Sequence, residues 1–394
     1  MSTRLARRLL RIRPSATVSI TARALELREQ GREIISLSAG ESDFETPDHV
    51  KAEAVSAIER GETRYTPLRG TSALREAIVG KFKRDNGLDY RPEQIIVSSG
   101  AKQSCYNACQ ALLDPGDEVI IPAPYWVSFP DMVRLANAEP VIVGTRPERG
   151  FLMGPNELSA AITARSRLLI LNSPCNPTGA VYSRSDWIAL GEVLREHPGL
   201  VVLSDEIYEH ICWHDEPFTS LAAACPHIFD RTITVNGVSK GYAMSGWRIG
   251  YAAGPEPIIR AMATIQSQST TNACAVSQAA ACVALGGDQS YLGEMRESFR
   301  DRHAFVLERL NRIDGIKCLP GKGAFYLLPN VEGLMSALRI DGDVALCERL
   351  LDEAGVAVVP GAAFGAPGHL RISYAAGRET LGAALDRIEA FAAS

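Results

Sequence analysis

Thr232-Ile233-Thr234-Val235-Asn236-Gly237-Val238-Ser239-Lys240-Gly241-Tyr242-Ala243-Met244-Ser245-Gly246-Trp247-Arg248-Ile249-Gly250-Tyr251 is the stretch around which the rest of the chain is organised. Its short β-branched run reads as a buried strand. The strand runs into a polar, glycine-spaced segment with one lysine and, eight residues on, one arginine. Gly237, Gly241 and Gly246 permit turns and close approach of backbone to a ligand. Loss of water at the end of a buried strand lowers a lysine pKa, and the neutral amine is then nucleophilic enough for a Schiff base with a carbonyl. A Ser-Lys pair taken alone is more often a surface loop, so the reading depends on what surrounds it.

Outward from this stretch, residues 70 to 255 alternate helices with short apolar runs. Strands are expected at Ile95-Ile96-Val97, Glu118-Val119-Ile120-Ile121, Leu168-Leu169-Ile170-Leu171, Leu200-Val201-Val202-Leu203 and Ile233-Thr234-Val235. Near-continuous apolar strands separated by helices predict an α/β architecture, a mainly parallel sheet covered on both faces. Ligands of such sheets bind at the carboxyl ends of the strands. There the chain places Ser99-Gly100-Ala101-Lys102, Pro124-Tyr125-Trp126, Asn172 to Gly179, Ser204-Asp205-Glu206-Ile207-Tyr208 and Ser239-Lys240. A helix from about 288 to 312 leads to further strands near Ala324–Leu328, Val356–Val359 and Leu370–Tyr374, which predict a smaller α+β domain. On this reading residues 46–287 form the large domain, and 1–45 with 288–394 the small one. Ahead of them a helix is expected over Ser15–Gln30, a strand at Ile34–Leu37 and a helix opened by Pro47.

The 394 residues carry a net charge of −5, which gives no electrostatic footprint for nucleic acid. No apolar run approaches the roughly 20 residues of a membrane span. Nine cysteines, an odd number without a Cys-x-x-Cys pair, indicate neither a disulfide framework nor a metal centre. Cys105 and Cys109 read as buried thiols on one helix. The expectation is a cytoplasmic enzyme. Arg4, Arg7, Arg8, Arg11 and Arg13 at the start read as an arm lying on a partner subunit rather than as a transit segment.

The strand ends supply a recognisable chemistry. Gly100-Ala101-Lys102 lies between a strand and a helix expected from about Gln103, and helix starts bind anions. Arg248 adds a bidentate phosphate contact. Asp205, after a buried strand, is either the partner of a cationic ring nitrogen or a helix N-cap. Tyr208 and Asn176 can serve a phenolate-type oxygen. Trp126 is either core packing or a ring stacked on a planar cofactor. A Schiff-base lysine, a carboxylate for a pyridinium, a phosphate cup and a stacking ring are together the requirements of pyridoxal 5′-phosphate.

At this point the chain resembles class I aminotransferases of the aspartate aminotransferase type, on the fold called type I. The matching residues are Tyr65-Thr66-Pro67 with Gly70, Pro124-Tyr125-Trp126, Asn176-Pro177-Thr178-Gly179, Ser204 to Glu209, Ser239-Lys240 with Gly246-Trp247-Arg248-Ile249-Gly250, and Leu370-Arg371-Ile372-Ser373-Tyr374. They follow family order over essentially the whole chain, and are most similar to the bacterial branch that includes aspartate/prephenate aminotransferases. The resemblance implies that Lys240 carries the cofactor and shuttles a proton, while Asp205 holds the pyridinium. It also implies that Asn176 and Tyr208 bind the phenolic oxygen and Trp126 stacks on the ring. Gly100, Ala101, Lys102 and Arg248 would surround the phosphate, with Tyr65 arriving from the second subunit of a homodimer. Arg371 would clamp the substrate α-carboxylate, helped by the backbone of Gly40. Lys102, Thr17 and Arg13 occupy positions linked to acidic amino acids, 2-oxo acids and prephenate. The chain departs from the family pattern at Ala101, Ser42, Gly241 and Thr271–Ser277. Rival expectations are an aromatic or alanine-type aminotransferase, a β-lyase on the same fold, a non-catalytic cofactor-binding regulator, and a nucleotide-binding protein.

Overall fold

The computed structural model describes residues 5–12 and 14–394. Twelve strands occur in it: β1 (Ile35–Ser36), β2 (Ile95–Ser98), β3 (Glu118–Ala123), β4 (Glu139–Gly144), β5 (Ser166–Asn172), β6 (Val201–Asp205), β7 (Thr232–Gly237), β8 (Gly250–Ala253), β9 (Tyr326–Leu327), β10 (Val356–Ala357), β11 (Val359–Pro360) and β12 (Leu370–Ser373). Seven form one sheet in the order β2-β8-β7-β6-β5-β3-β4. Within it β8 is antiparallel to both neighbours and the other pairs are parallel.

Apolar residues on the two faces of these strands enter different cores. Val119, Ile121, Leu168 and Ile170 pack with Cys105 and Cys109, whereas Ile120, Leu169, Leu171 and Val202 pack with Trp187 and Leu190. Alternate side chains of a strand point to opposite faces, so burial of both sets requires helices on both sides. The five expected strands are all present. Strands β4 and β8 were not expected: β4 is half-exposed at the sheet edge with a proline inside it, and the Gly-Tyr-Ala-Ala of β8 carries little β-branched signal.

Four helices bear on the site: α1 (Ala16–Glu29), α2 (Asp48–Glu59), α3 (Ser72–Asn86) and α4 (Ala101–Leu112). The last begins two residues before the expected Gln103. A second group of elements shares a separate core. It contains the three-stranded antiparallel sheet β11-β12-β9 and the 21-residue helix Ser290–Leu310, packed through Phe299, Phe325, Ile372 and Leu385. The early strand β1 pairs in parallel with β10, Ile35 opposite Val356, so the N-terminal segment is tied to residues more than 300 positions later. Among the described residues no helix is long and apolar enough to cross a membrane.

Candidate active site

Parallel register brings the carboxyl ends of the central strands level. Asn172 of β5 stands opposite Asp205 of β6, which stands opposite Val235 of β7. Chain leaving these ends bounds a cavity of about 300 Å³. Into it open Lys240, Asp205, Tyr208 and Asn176, together with Ala101, Lys102 and Trp126 from the next strand ends. Arg248 and Arg371 also line it, as do Gly40, Ser15 and Thr17 from the N-terminal segment.

The anion end is built by backbone. Gly100, at φ +89°, is the N-cap of α4, and the guanidinium of Arg248 fills the space a side chain there would need. Gly250 lies so close beneath that a Cβ would stand 2.6 Å from Ala101 Cα. Arg248, itself at φ +58°, donates to the carbonyls of Ser245 (2.8 Å) and Ser99 (3.3 Å). The open N–H groups of a 12-residue helix and a fixed guanidinium thus converge on one point, the arrangement that holds a phosphate. Lys102 sits 5.0 Å over the Trp126 ring, its pKa lowered by burial and then by Arg248. Trp126 meets Phe129 edge to face at 5.2 Å while its own ring lines the cavity, so it serves both the core and the site.

At the centre, burial raises the Asp205 carboxyl from 3.8 to about 7, against the opposing pull of the Ile207 N–H, 3.2 Å from Oδ1, and of Lys240. No helix follows Asp205; the residues after it form a turn, which removes the N-cap alternative and the expected helical spacing to Tyr208. Burial lowers Lys240 from 10.5 to about 8, with Glu41 pulling it up and Arg248 and Arg371 pushing it down. Its amine donates to the Gly40 carbonyl and lies 5.8 Å from the Tyr208 ring centre.

Arg371, on β12, is 2% exposed. It donates to Asn176 Oδ1 at 3.3 Å and to the Ser38 carbonyl, and lies between the rings of Tyr326 (4.6 Å) and Phe364 (5.0 Å). Its Nε has no partner, and among the described residues no carboxylate pairs with it. A buried guanidinium costs several kcal/mol unless a counter-charge is supplied. The cavity it faces is therefore electrostatically suited to an anion.

Three participants were missed by sequence reasoning. Tyr326 exchanges a 2.9 Å hydroxyl–hydroxyl contact with Tyr208. Asn172 donates to the Asp205 carbonyl (3.0 Å) and accepts from the Asn176 N–H (2.9 Å), locking the asparagine turn to the aspartate strand. Glu41 accepts from the Ser245 hydroxyl at the mouth. Only Asn172 had a signal, its place at a strand end. Ser42, where the family pattern has proline, accepts from the Phe44 N–H at 3.2 Å and closes the loop by another means. The unusual 271–277 segment is adjacent to Thr270, which is bonded to Gln103 of α4. Tyr65 is not in the cavity: it is 91% exposed and borders a separate cleft beside α2. Arg13 lies outside the described residues.

A lysine and two arginines at the strand-end cleft of a helix-covered, mainly parallel sheet define an α/β protein with a ligand site in the place such sheets provide. The family is settled by comparison. Residues 32–388 match the model of "aminotransferase class I and II". The chain is 51% identical over 390 residues to the aspartate/prephenate aminotransferase of Cereibacter sphaeroides, with 98% of each chain covered. It is 48% identical to an aspartate aminotransferase of Rhizobium meliloti, covering 98% of this chain and 95% of that one. The crystal structure of a Rhizobium meliloti aspartate aminotransferase superposes with a TM-score of 0.95 at 48% identity, covering 100% and 99%. The Thermus thermophilus aspartate aminotransferase with maleate gives 0.93 at 46%, covering 99% and 100%. The chain belongs to the class I and II aminotransferases: it is an enzyme that transfers amino groups.

Proposed function

We propose that this aminotransferase moves the amino group between L-aspartate and 2-oxoglutarate in a ping-pong cycle on pyridoxal 5′-phosphate, and accepts prephenate as a further oxo acid. The observation that carries the reading is Arg371, buried without a carboxylate partner among the described residues, beside a lysine whose pKa is brought to about 8. The cofactor fits the residues present: Asp205 is a buried carboxylate without a salt-bridge partner among the described residues, and the Gly100–Ala101 helix end with Arg248 is an anion cup. When bound, pyridoxal phosphate supplies an aldehyde for amines and an electron-withdrawing ring.

The chain's own residues do the rest. Lys240 Nζ, brought by burial to a pKa of about 8 and so about half neutral at pH 8, takes a proton from the substrate α-carbon and returns it. Asp205 would hold a cationic ring nitrogen, since ionising beside that charge relieves its burial cost. Asn176 and Tyr208 would serve the ring oxygen, and Trp126 would stack on the ring. Arg371 grips the α-carboxylate as a planar fork with two donors. Lys102 and Thr17, whose buried Oγ1 has no partner, face the side-chain carboxylate, and Arg13 belongs with them by sequence position. The names of the relatives and the maleate in the Thermus thermophilus structure support a dicarboxylic substrate. The reading includes a cytoplasmic homodimer in which the exposed Tyr65 reaches the neighbouring subunit's site. Residues 46–287 then form the cofactor-binding domain, with 1–45 and 288–394 as the smaller one.

Single-turnover half-reactions across amino acids, followed by cofactor absorbance, test this. Aspartate and glutamate are expected to react fastest, and the Lys240→Ala variant not to turn over. Alanine or phenylalanine used far better than aspartate would overturn the substrate assignment, and a fully active Lys240→Ala variant the mechanism.

A further inference from the structure

Outside the cavity, against the two turns that carry Tyr208 and Lys240, lies a buried charged cluster. Lys81 of α3 is 0% exposed; its ammonium contacts Glu209 and donates to Asn86 Oδ1 at 2.7 Å. Asn86 in turn donates to Glu209 Oε2 at 2.7 Å. His210 Nε2 is 3.3 Å from Glu209 Oε1 and 3.9 Å from Asp85 Oδ2. Asp85, Glu209 and His210 offer three ligand atoms within 4.8 Å of one another, but Lys81 already supplies the cation, 4.0 Å from Asp85.

The fixed imidazole lies between the two turns. Glu209 N–H donates to the Glu206 carbonyl (3.0 Å) and Ile211 N–H to that of Tyr208 (2.8 Å), so Tyr208 faces the cavity while Glu209 and His210 face the cluster. In the second turn Lys240 faces the cavity and Gly241 presents bare backbone to His210. A Cβ on Gly241 would stand 2.9 Å from His210 Cδ2 and 3.2 Å from its Cβ. The next residue, Tyr242, meets the imidazole edge to face at 5.6 Å and is tethered through its hydroxyl to Gln289 at 2.6 Å. The ring is held by Glu209 on one side and Tyr242 on the other, so it cannot swing aside at little cost. We propose that His210 is a positioning residue for amino-group transfer, a spacer that fixes the turn carrying Lys240 against the turn carrying Tyr208. The charged and titratable groups facing it are Lys81, Arg84 and Asp85 from α3, Glu209 beside it, and Tyr242. Burial lowers its pKa, which suits a spacer that carries no charge.

The inference rests on Lys240 as the cofactor-bearing amine and is tested on the holoenzyme reconstituted with pyridoxal phosphate. His210→Ala removes the spacer and leaves the Lys81–Glu209 ion pair in place. Its expected effect is a loss of about tenfold in kcat for aspartate, short of the about hundredfold that a 1 Å misplacement brings. KM should stay within about twofold, because the substrate clamp is untouched. The absorbance-detected pH titration of the Lys240–cofactor linkage should move by about half a pH unit or more, since its neighbours have shifted. His210→Gln, a planar group of similar bulk, should recover most of the lost kcat. Unchanged kcat and titration midpoint in His210→Ala, even with a lowered Tm, would overturn the proposal, as would an equal loss in His210→Gln. A wild-type holoenzyme without a titrating visible band overturns the reading of Lys240 and this inference with it. A normal wild-type band with unshifted variants overturns this inference alone.

Discussion

Asp205→Asn, on protein dialysed free of pyridoxal phosphate, is the substitution whose effect follows most directly from the structure. Burial raises this carboxyl from 3.8 to about 7. Between those values the folded chain holds a proton that the unfolded chain has released. Stability therefore falls as pH rises from about 4 to about 7 and levels off above that. At 1.36 kcal/mol per pH unit, the cost of ionised Asp205 is about 4 kcal/mol at pH 8 and about 2 kcal/mol at pH 5. Asparagine is close in shape and never ionises. The variant's advantage over wild type should therefore be larger at pH 8 than at pH 5 by about 2–3 kcal/mol. Glu206, also raised to about 7 by burial, is present in both proteins and cancels. Guanidinium unfolding followed by circular dichroism at the two pH values measures the difference. Adding pyridoxal phosphate should reverse the ranking, because a cationic ring nitrogen pairs with the aspartate and not with the amide. An equal advantage at both pH values would refute the argument from burial.

Arg371→Lys keeps the charge but loses the planar fork, and should raise KM for aspartate by about 10- to 100-fold with a smaller change in kcat, read by steady-state kinetics. Tyr326→Phe removes the 2.9 Å partner of Tyr208, and kcat/KM should fall by an amount worth about 1 kcal/mol. Lys81→Met leaves Glu209 buried beside Asp85 without its cation, which should cost about 3–5 kcal/mol of stability. Adding Glu209→Gln should recover part of that loss, as thermal denaturation of both variants would show.

Much of the site was legible because its residues follow strands that announce themselves. Asp205 comes after Val201-Val202-Leu203-Ser204 and Lys240 after Thr232–Gly237, and a buried parallel strand can only deliver its next residues to the same edge of the sheet. Tyr326 was not legible, because it belongs to a two-residue strand of a different sheet and meets Tyr208 across 118 positions. Strand β8 was hidden for another reason: its Gly-Tyr-Ala-Ala carries no period, and Gly250 is there so that the backbone of Ala101 can approach. The departures at Ser42 and Gly241 were visible as letters only. Their sense, a hydroxyl that closes a loop and a missing methyl that admits an imidazole, is a matter of distances.

Local pattern in the sequence alone determined the α/β class, the five main strands and the lysine, aspartate and asparagine that follow them, because those signals lie within a few residues of one another. Only the tertiary structure decided which charges go unpaired. Folding removes Arg371 from water at the cavity with no carboxylate beside it among the described residues, while Lys81, no less buried, is answered by Glu209. Desolvation and pairing are properties of the surrounding volume, filled by residues far away in the chain.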